Sequence, residues 1–147
     1  MITENLFWAL PVLLGALLTS IITRKHKEKE RFNKAADTFR NKVITGLEGI
    51  YPITHPWWDS ILFPKFQQSV PKIEIAAAEF RHFIKRKSEL DATVKKYHDY
   101  CQQRKYEKAW YSSMFPNSPK PPNESGIDPV EEFKNIVEHL LSFANEK

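Results

Sequence analysis

The sequence predicts an all-α protein: one N-terminal transmembrane helix followed by a small antiparallel helical bundle that contains one long helix. Three observations predict it. From Leu6 to Ile22 no residue carries a charge. Further along, apolar residues recur at alternating steps of three and four, the spacing of one helix face. Glycine is scarce, at four residues, whereas the ten prolines are clustered, which suits helices separated by stiff connections.

Composition sets the outer bounds. An apolar fraction of 41% and a charged fraction of 27% belong to a folded chain, not a disordered one. With residues 1–23 assigned to lipid, the remaining 124 of 147 residues suffice for one modest core. Cys101 is the only cysteine, which excludes an intramolecular disulfide and fits a reducing compartment. The net charge of +4 is unevenly spread: residues 24–48 carry eight basic and four acidic groups, residues 72–112 ten and six, residues 113–147 three and six. The basic excess lies in the first two helical stretches and the tail is acidic.

The first element is the membrane segment. Extending the uncharged run to Ile2 and Thr23 gives 22 residues with one acid, Glu4. At 1.5 Å per residue such a helix is about 33 Å long, enough for a hydrocarbon core of roughly 30 Å. Pro11 and Gly15 are tolerated in lipid, Trp8 sits where an interfacial aromatic is expected, and Thr19, Ser20 and Thr23 can return hydroxyl bonds to the helix backbone. A cleaved signal peptide would need a basic n-region and a cleavage site, but Met1–Asn5 holds no Lys or Arg and the run ends in Arg24-Lys25-His26-Lys27. A buried core helix would need a larger domain around it, and an in-plane interfacial helix a charged face. Arg24, Lys25, Lys27, Lys29 and Arg31, with Lys34 beyond them, flank only the C-terminal end. The positive-inside rule therefore places residues 24–147 in the cytoplasm, the N-terminus outside and the basic cluster against membrane lipid at the inner (plasma) membrane.

Residues 24–48 form the next helix, with Phe32, Ala36, Phe39, Val43 and Gly46/Leu47 as its apolar stripe and Gly49 at its end. Pro52 and Pro56 break the chain before Trp57-Trp58. Adjacent tryptophans read either as caps on the core or as a binding patch, burial being the usual outcome. A short helix over 59–69 starts near Asp59 and is interrupted at Pro64. Pro71 then opens the longest helix, Lys72 to Tyr111. Its seam, Ile73, Ala76, Phe80, Phe83, Lys87, Leu90, Val94, Tyr97 and Cys101, keeps heptad spacing for about four repeats. That seam serves an intrachain bundle or an intermolecular coiled coil, and the length of chain from Pro52 to Pro71 favours the former. Pro116, Pro119, Pro121 and Pro122 make a stiff connection, which would act as a proline-rich ligand only with a partner domain. The last helix covers 128–145: Asp128 caps it, Pro129 opens it, Glu131 and Glu132 sit in its first turn, and Val130, Phe133, Val137, Leu140 and Ala144 form its stripe.

Little in the chain carries chemistry. Glu79 and His82 have the spacing of a di-iron bundle ligand pair, but a second pair and two further glutamates are missing. His98 and Cys101 are two ligands where a closed zinc site needs four. With no glycine-rich phosphate loop, no cofactor, metal or small-molecule ligand is expected. The basic run around Arg81, Lys85, Arg86 and Lys87 is diluted by Glu79, Glu89 and Asp91, so nucleic acid is not expected either.

Phe32-Asn33-Lys34-Ala35-Ala36, the segment Tyr51-Pro52 through Trp57-Trp58, Pro71-Lys72-Ile73-Glu74 and Ala76-Ala77-Ala78-Glu79-Phe80 resemble a family of small, uncharacterised bacterial membrane-anchored proteins. Val137-Glu138-His139-Leu140-Leu141 extends the likeness. The resemblance implies no activity and no functional residues. The expectation is a membrane-tethered scaffold or interaction module that holds an unidentified protein partner, with Trp57, Trp58, Arg81, Lys85 and Arg86 as candidate contacts. A homo-oligomer built on the seam is the first alternative, and an enzyme with an unrecognised site the second.

Overall fold

A computed structural model describes residues 2–55, 57–119 and 126–146; within the first helix, side chains are described at Phe7 and from Ala9 onward. The described residues are all-α, with no strand: α1 (Ile2–Gly46), α2 (Phe63–Phe80), α3 (Lys87–Gln102), α4 (Lys105–Met114) and α5 (Pro129–Ser142). Short 3-10 turns cover Ser60–Leu62, Arg81–Phe83 and Phe143–Asn145. The chain divides into two compact units, Met1–Lys34 and Ala35–Lys147. That boundary lies inside α1.

Unit 1 is helix throughout its described length, with Pro11 inside it. Its large apolar side chains are exposed, Leu10 at 54% and Val12 at 71% among them. Thr19 and Thr23 donate their hydroxyls to the carbonyls of Gly15 and Thr19, both at 2.8 Å. Among the described residues no helix is long and apolar enough to cross a membrane. Counted from Ala9, where continuous description starts, the uncharged run to Thr23 is 15 residues, or about 22 Å of helix. The spanning helix expected from the sequence therefore finds no support among these residues.

Unit 2 holds the core. The stripe foreseen for α1 packs inward at Ala36, Phe39, Val43 and Leu47. The helix ends at Gly46, and Gly49 follows at φ +88°, where a Cβ would also meet the Lys65 amine at 2.6 Å. That left-handed turn is why glycine sits there.

The short helix and the long helix both differ from expectation. Pro64 does not interrupt a helix but opens α2, and Pro71 lies inside α2 instead of starting a helix. An internal proline costs about 3 kcal/mol. It is outweighed because Phe66, Ser69, Ile73, Ala76, Ala77 and Phe80 are buried on both sides of it, each large apolar side chain contributing about 1.5–3 kcal/mol.

The single helix expected over Lys72–Tyr111 is three pieces. Ile84 is extended (φ −117°, ψ 158°) and ends the α2 region, and Arg104 adopts a left-handed conformation (φ 52°, ψ 43°) between α3 and α4. The reason is length. Forty helical residues would extend about 60 Å, past anything in a small unit able to cover the seam. Folding back at Ile84 lets the two halves of the seam cover each other. Ile73, Ala76 and Phe80 from α2 are buried with Leu90, Tyr97 and Cys101 from α3, while Phe83 and Lys87 at the bend are exposed. The seam is thus spent within one chain rather than presented as an intermolecular coiled coil.

Cross-helix contacts show each neighbour running antiparallel. Phe39 stacks on Phe80 at 4.5 Å and Lys42 pairs with Glu79. Glu74 bonds His98 and Arg81 bonds Asp91 across α2 and α3. Glu89 bonds His139, and Tyr100 donates to the Pro129 carbonyl at 2.7 Å, across α3 and α5. α5 begins as the sequence predicts, with the Asp128 carboxylate accepting from the Val130 amide at 3.2 Å and Pro129 in the first turn.

Candidate functional site

Unit 2 has two ends of different character. At the end where α1 enters, Phe39 lies on Phe80, Arg40 donates to Asn145 at 3.1 Å, and Arg86 lies over the Phe143 ring and beside Glu146. This end carries the Arg81–Lys87 turn. The far end is aromatic. Phe133 sits at its centre and meets Trp58, Phe66, Tyr97 and Tyr100 with ring centroids 5.0–6.2 Å apart. Phe66 also stacks on Tyr106 at 4.2 Å.

The candidate contact residues do not form one patch. Trp58 belongs to the core: it is 3% exposed and its indole N–H donates to the Ile50 carbonyl at 3.1 Å. Trp57 is 42% exposed. The chain is non-helical there, so neighbouring side chains point to opposite sides. Arg81 is occupied by Asp91, both carboxylate oxygens lying 3.0–3.1 Å from its Nε. Arg86 reaches Glu89 at 3.1 Å and Glu146 at 3.5 Å. Lys85 is exposed, and among the described residues no acid pairs with it. In unit 1, Arg24, Lys25, Lys27, Lys29 and Arg31 are all exposed and likewise without an acidic partner among the described residues, while neighbouring His26 pairs with Glu30 at 3.2 Å.

An aromatic groove of about 450 Å³ lies along α4, lined by Phe63, Trp110, Tyr111 and Phe115 together with Pro116 and Pro119. Phe63 meets Tyr106 and Trp110 edge-on or tilted, and Tyr111 meets Phe115 at 5.0 Å. Sequence reasoning missed it because it treated Trp110-Tyr111 as the end of a long helix and Phe115-Pro116 as linker. Two adjacent aromatics followed four residues later by Phe-Pro were the available signal. A second, polar groove of about 440 Å³ runs between α3 and α5, lined by Thr93, Asp99, Lys105, Glu132 and His139 among others. Lys105, Glu132 and His139 are committed to structure. Lys105 bonds Glu132 at 2.7 Å, and His139 bridges Glu89 at 2.9 Å and Thr93 at 3.3 Å. The His139 bond holds the Glu89 carboxyl below its usual range against the opposing effect of desolvation, and Arg86 adds to the lowering.

The paired residues singled out for metal chemistry do not converge. Glu79 is taken by Lys42, and His98 by Glu74 at 3.0 Å. Cys101 is buried, and burial pushes its thiol up to about 12, so the nucleophilic and metal-binding thiolate is suppressed. Among the described residues no group of three or more His, Cys, Asp or Glu could hold a metal ion. Polar side chains between α2 and α3 are bonded within the fold. Ser69 donates to the Phe66 carbonyl and contacts the Tyr97 hydroxyl, while the Gln67 amide donates to the Cys101 carbonyl at 2.7 Å and to the Tyr106 hydroxyl at 2.9 Å.

No family model matches the chain, and neither a curated protein nor a solved structure resembles it. The resemblance to small bacterial membrane-anchored proteins accordingly rests on the residues quoted for it.

Proposed function

We propose that the protein is a single-pass membrane-anchored helical protein, a scaffold or interaction module at the inner face of the plasma membrane. Its N-terminus lies outside and residues 24–147 are cytoplasmic. The observation that carries this is the run of apolar side chains left exposed among the described residues. Phe7, Leu10, Val12, Leu13, Leu14, Leu17, Leu18, Ile21 and Ile22 are each more than half exposed. Removing nine such side chains from water is worth roughly 10–20 kcal/mol. Lipid fits as the cover for two further reasons. The hydroxyls of Thr19 and Thr23 are already bonded to the helix's own backbone, so they present no unmet polar group to hydrocarbon. The whole uncharged stretch, Glu4 excepted, runs from Ile2 to Thr23 and reaches about 33 Å. The unpaired basic cluster that follows sets the sidedness.

The cytoplasmic unit offers an exposed Trp57, an aromatic groove on α4 and a basic turn. These are surfaces for contact rather than catalysis, and they support the scaffold reading over an enzyme. Self-association through the seam is disfavoured, because Ile73, Ala76, Phe80, Leu90, Tyr97 and Cys101 are buried within one chain.

Flotation tests the anchor. Full-length protein is expected to float with membranes and to resist alkaline carbonate extraction, and a fluorescent reporter fused after Lys147 is expected to mature in the cytoplasm. Recovery in a high-speed supernatant without detergent would refute the anchor, and a reporter active only outside would refute the sidedness.

A further inference from the structure

The turn between α2 and α3 has chemistry that the packing of unit 2 does not use. Phe83 is 48% exposed, a large aromatic with no core to enter. Around it stand His82, Lys85 and Lys87, all exposed, and among the described residues neither lysine has an acidic partner. Several acids at this end are paired: Asp37 with Arg40, Glu79 with Lys42 and Asp91 with Arg81, while Glu89 and Glu146 share Arg86 and Glu89 also bonds His139; Glu138, beside His139, is exposed. Lys85 and Lys87 are thus basic groups of the turn that no acid among the described residues engages. An aromatic side chain flanked by long cationic ones is suited to the headgroup layer, with the ring at the acyl boundary and the ammonium groups on phosphates.

The position of the turn fits that use. Phe39 stacks on Phe80 immediately before the turn, and Arg86 within it reaches Glu146 while Arg40 reaches Asn145. The turn thus lies at the end of unit 2 where α1 enters. Residues 24–34, eleven in number, extend at most about 16 Å as a helix. On the anchored reading, the tether joins unit 2 at this end.

We propose that the Arg81–Lys87 turn is a second membrane contact, in which Lys85 and Lys87 engage anionic lipid headgroups and Phe83 inserts between them. The proposal rests on the membrane anchor. Two lysines and one phenylalanine would hold a free protein only weakly, but a tether keeps them at high local concentration over the surface. Arg81 and Arg86 act indirectly, Arg81 by neutralising Asp91 and Arg86 by sharing its charge between Glu89 and Glu146.

The test uses full-length protein in nanodiscs of phosphatidylcholine, with or without one-third phosphatidylglycerol, and reads amine acetylation by mass spectrometry. Lys85 and Lys87 are expected to react at least several-fold more slowly in the anionic discs. High salt should restore their rates, Phe83→Ala should weaken the protection, and Lys65, beside Gly49 at the far end, should be unaffected. Equal rates in both discs, or equal protection of Lys65, would overturn the contact while leaving the anchor intact. Failure of the protein to co-purify with either disc would remove the anchor, and the contact with it. Protection by an added oligonucleotide but not by anionic lipid would assign the turn to nucleic acid and overturn the proposal.

Discussion

Trp57 and Trp58 show how little of a residue's role is visible in its identity. Both lie in a non-helical stretch, where successive side chains alternate, and only one can face inward. Trp58 does so, packing edge-on against Phe66 and Phe133 at 5.0 Å and giving its N–H to Ile50. Its truncation leaves both a cavity and an unmet carbonyl. Trp58→Ala is expected to lose about 3–5 kcal/mol of stability, and Trp57→Ala to stay within about 0.5 kcal/mol of wild type, as read by urea unfolding followed by circular dichroism. A loss at Trp57 equal to that at Trp58 would contradict the assignment. The sequence offered two tryptophans and the rule that tryptophan usually buries; it held no register to say which one would.

At the scale of helices, what was legible depended on whether the signal was local. α5 could be read because its cap, its opening proline, its first-turn acids and its apolar stripe all lie within its own residues. The break at Ile84 could not. Heptad spacing survives a fold-back almost unchanged, since Ile73–Phe80 and Leu90–Cys101 are buried whether they face another helix or each other. Only Phe83 and Lys87 differ, and a lysine at a seam position was the one trace of the bend. The α3–α4 corner is similarly silent, because it forces Arg104 into the left-handed region where glycine would be usual. A non-glycine residue there costs roughly 1–2 kcal/mol, against about 0.5–1 kcal/mol that glycine loses through added freedom in the unfolded chain. The contact of Arg104 with Glu107 at 3.6 Å is exposed and weighs little. Arg104→Gly is therefore expected to raise the melting temperature, by up to about 1 kcal/mol in stability, and a fall would refute the strain. α3 and α5 are also joined by a titratable link. Glu89 has its carboxyl depressed below the ordinary 4.5, chiefly by His139. A depressed carboxyl favours the fold above its unfolded value, and that contribution disappears as pH falls through the folded value. The difference in melting temperature between wild type and Glu89→Gln should be present at pH 5–6 and close below about pH 4.5; a difference that persists in acid would assign it to packing instead.

Taken whole, the molecule keeps its core and its uncovered apolar run in separate units. Among the described residues the buried hydrophobic ones begin at Ala36 and end at Ala144, all within unit 2. A chain started at Lys25 should therefore melt cooperatively at the same midpoint as the full protein, monitored by circular dichroism in the same detergent. A broad or absent transition would show that the N-terminal helix contributes to the core. The all-helical class and the antiparallel bundle were legible because periodicity reports them. The groove at Trp110 was not, because it is assembled from Phe63 and residues nearly fifty positions later.

The burial of Cys101 has a practical corollary. The chain's one native thiol is buried beside Tyr97 and kept protonated, so it stays silent toward maleimides while the fold holds. Any thiol engineered on the surface would be the sole reactive one, and spin labels or crosslinkers could map this protein site by site without first replacing its own cysteine.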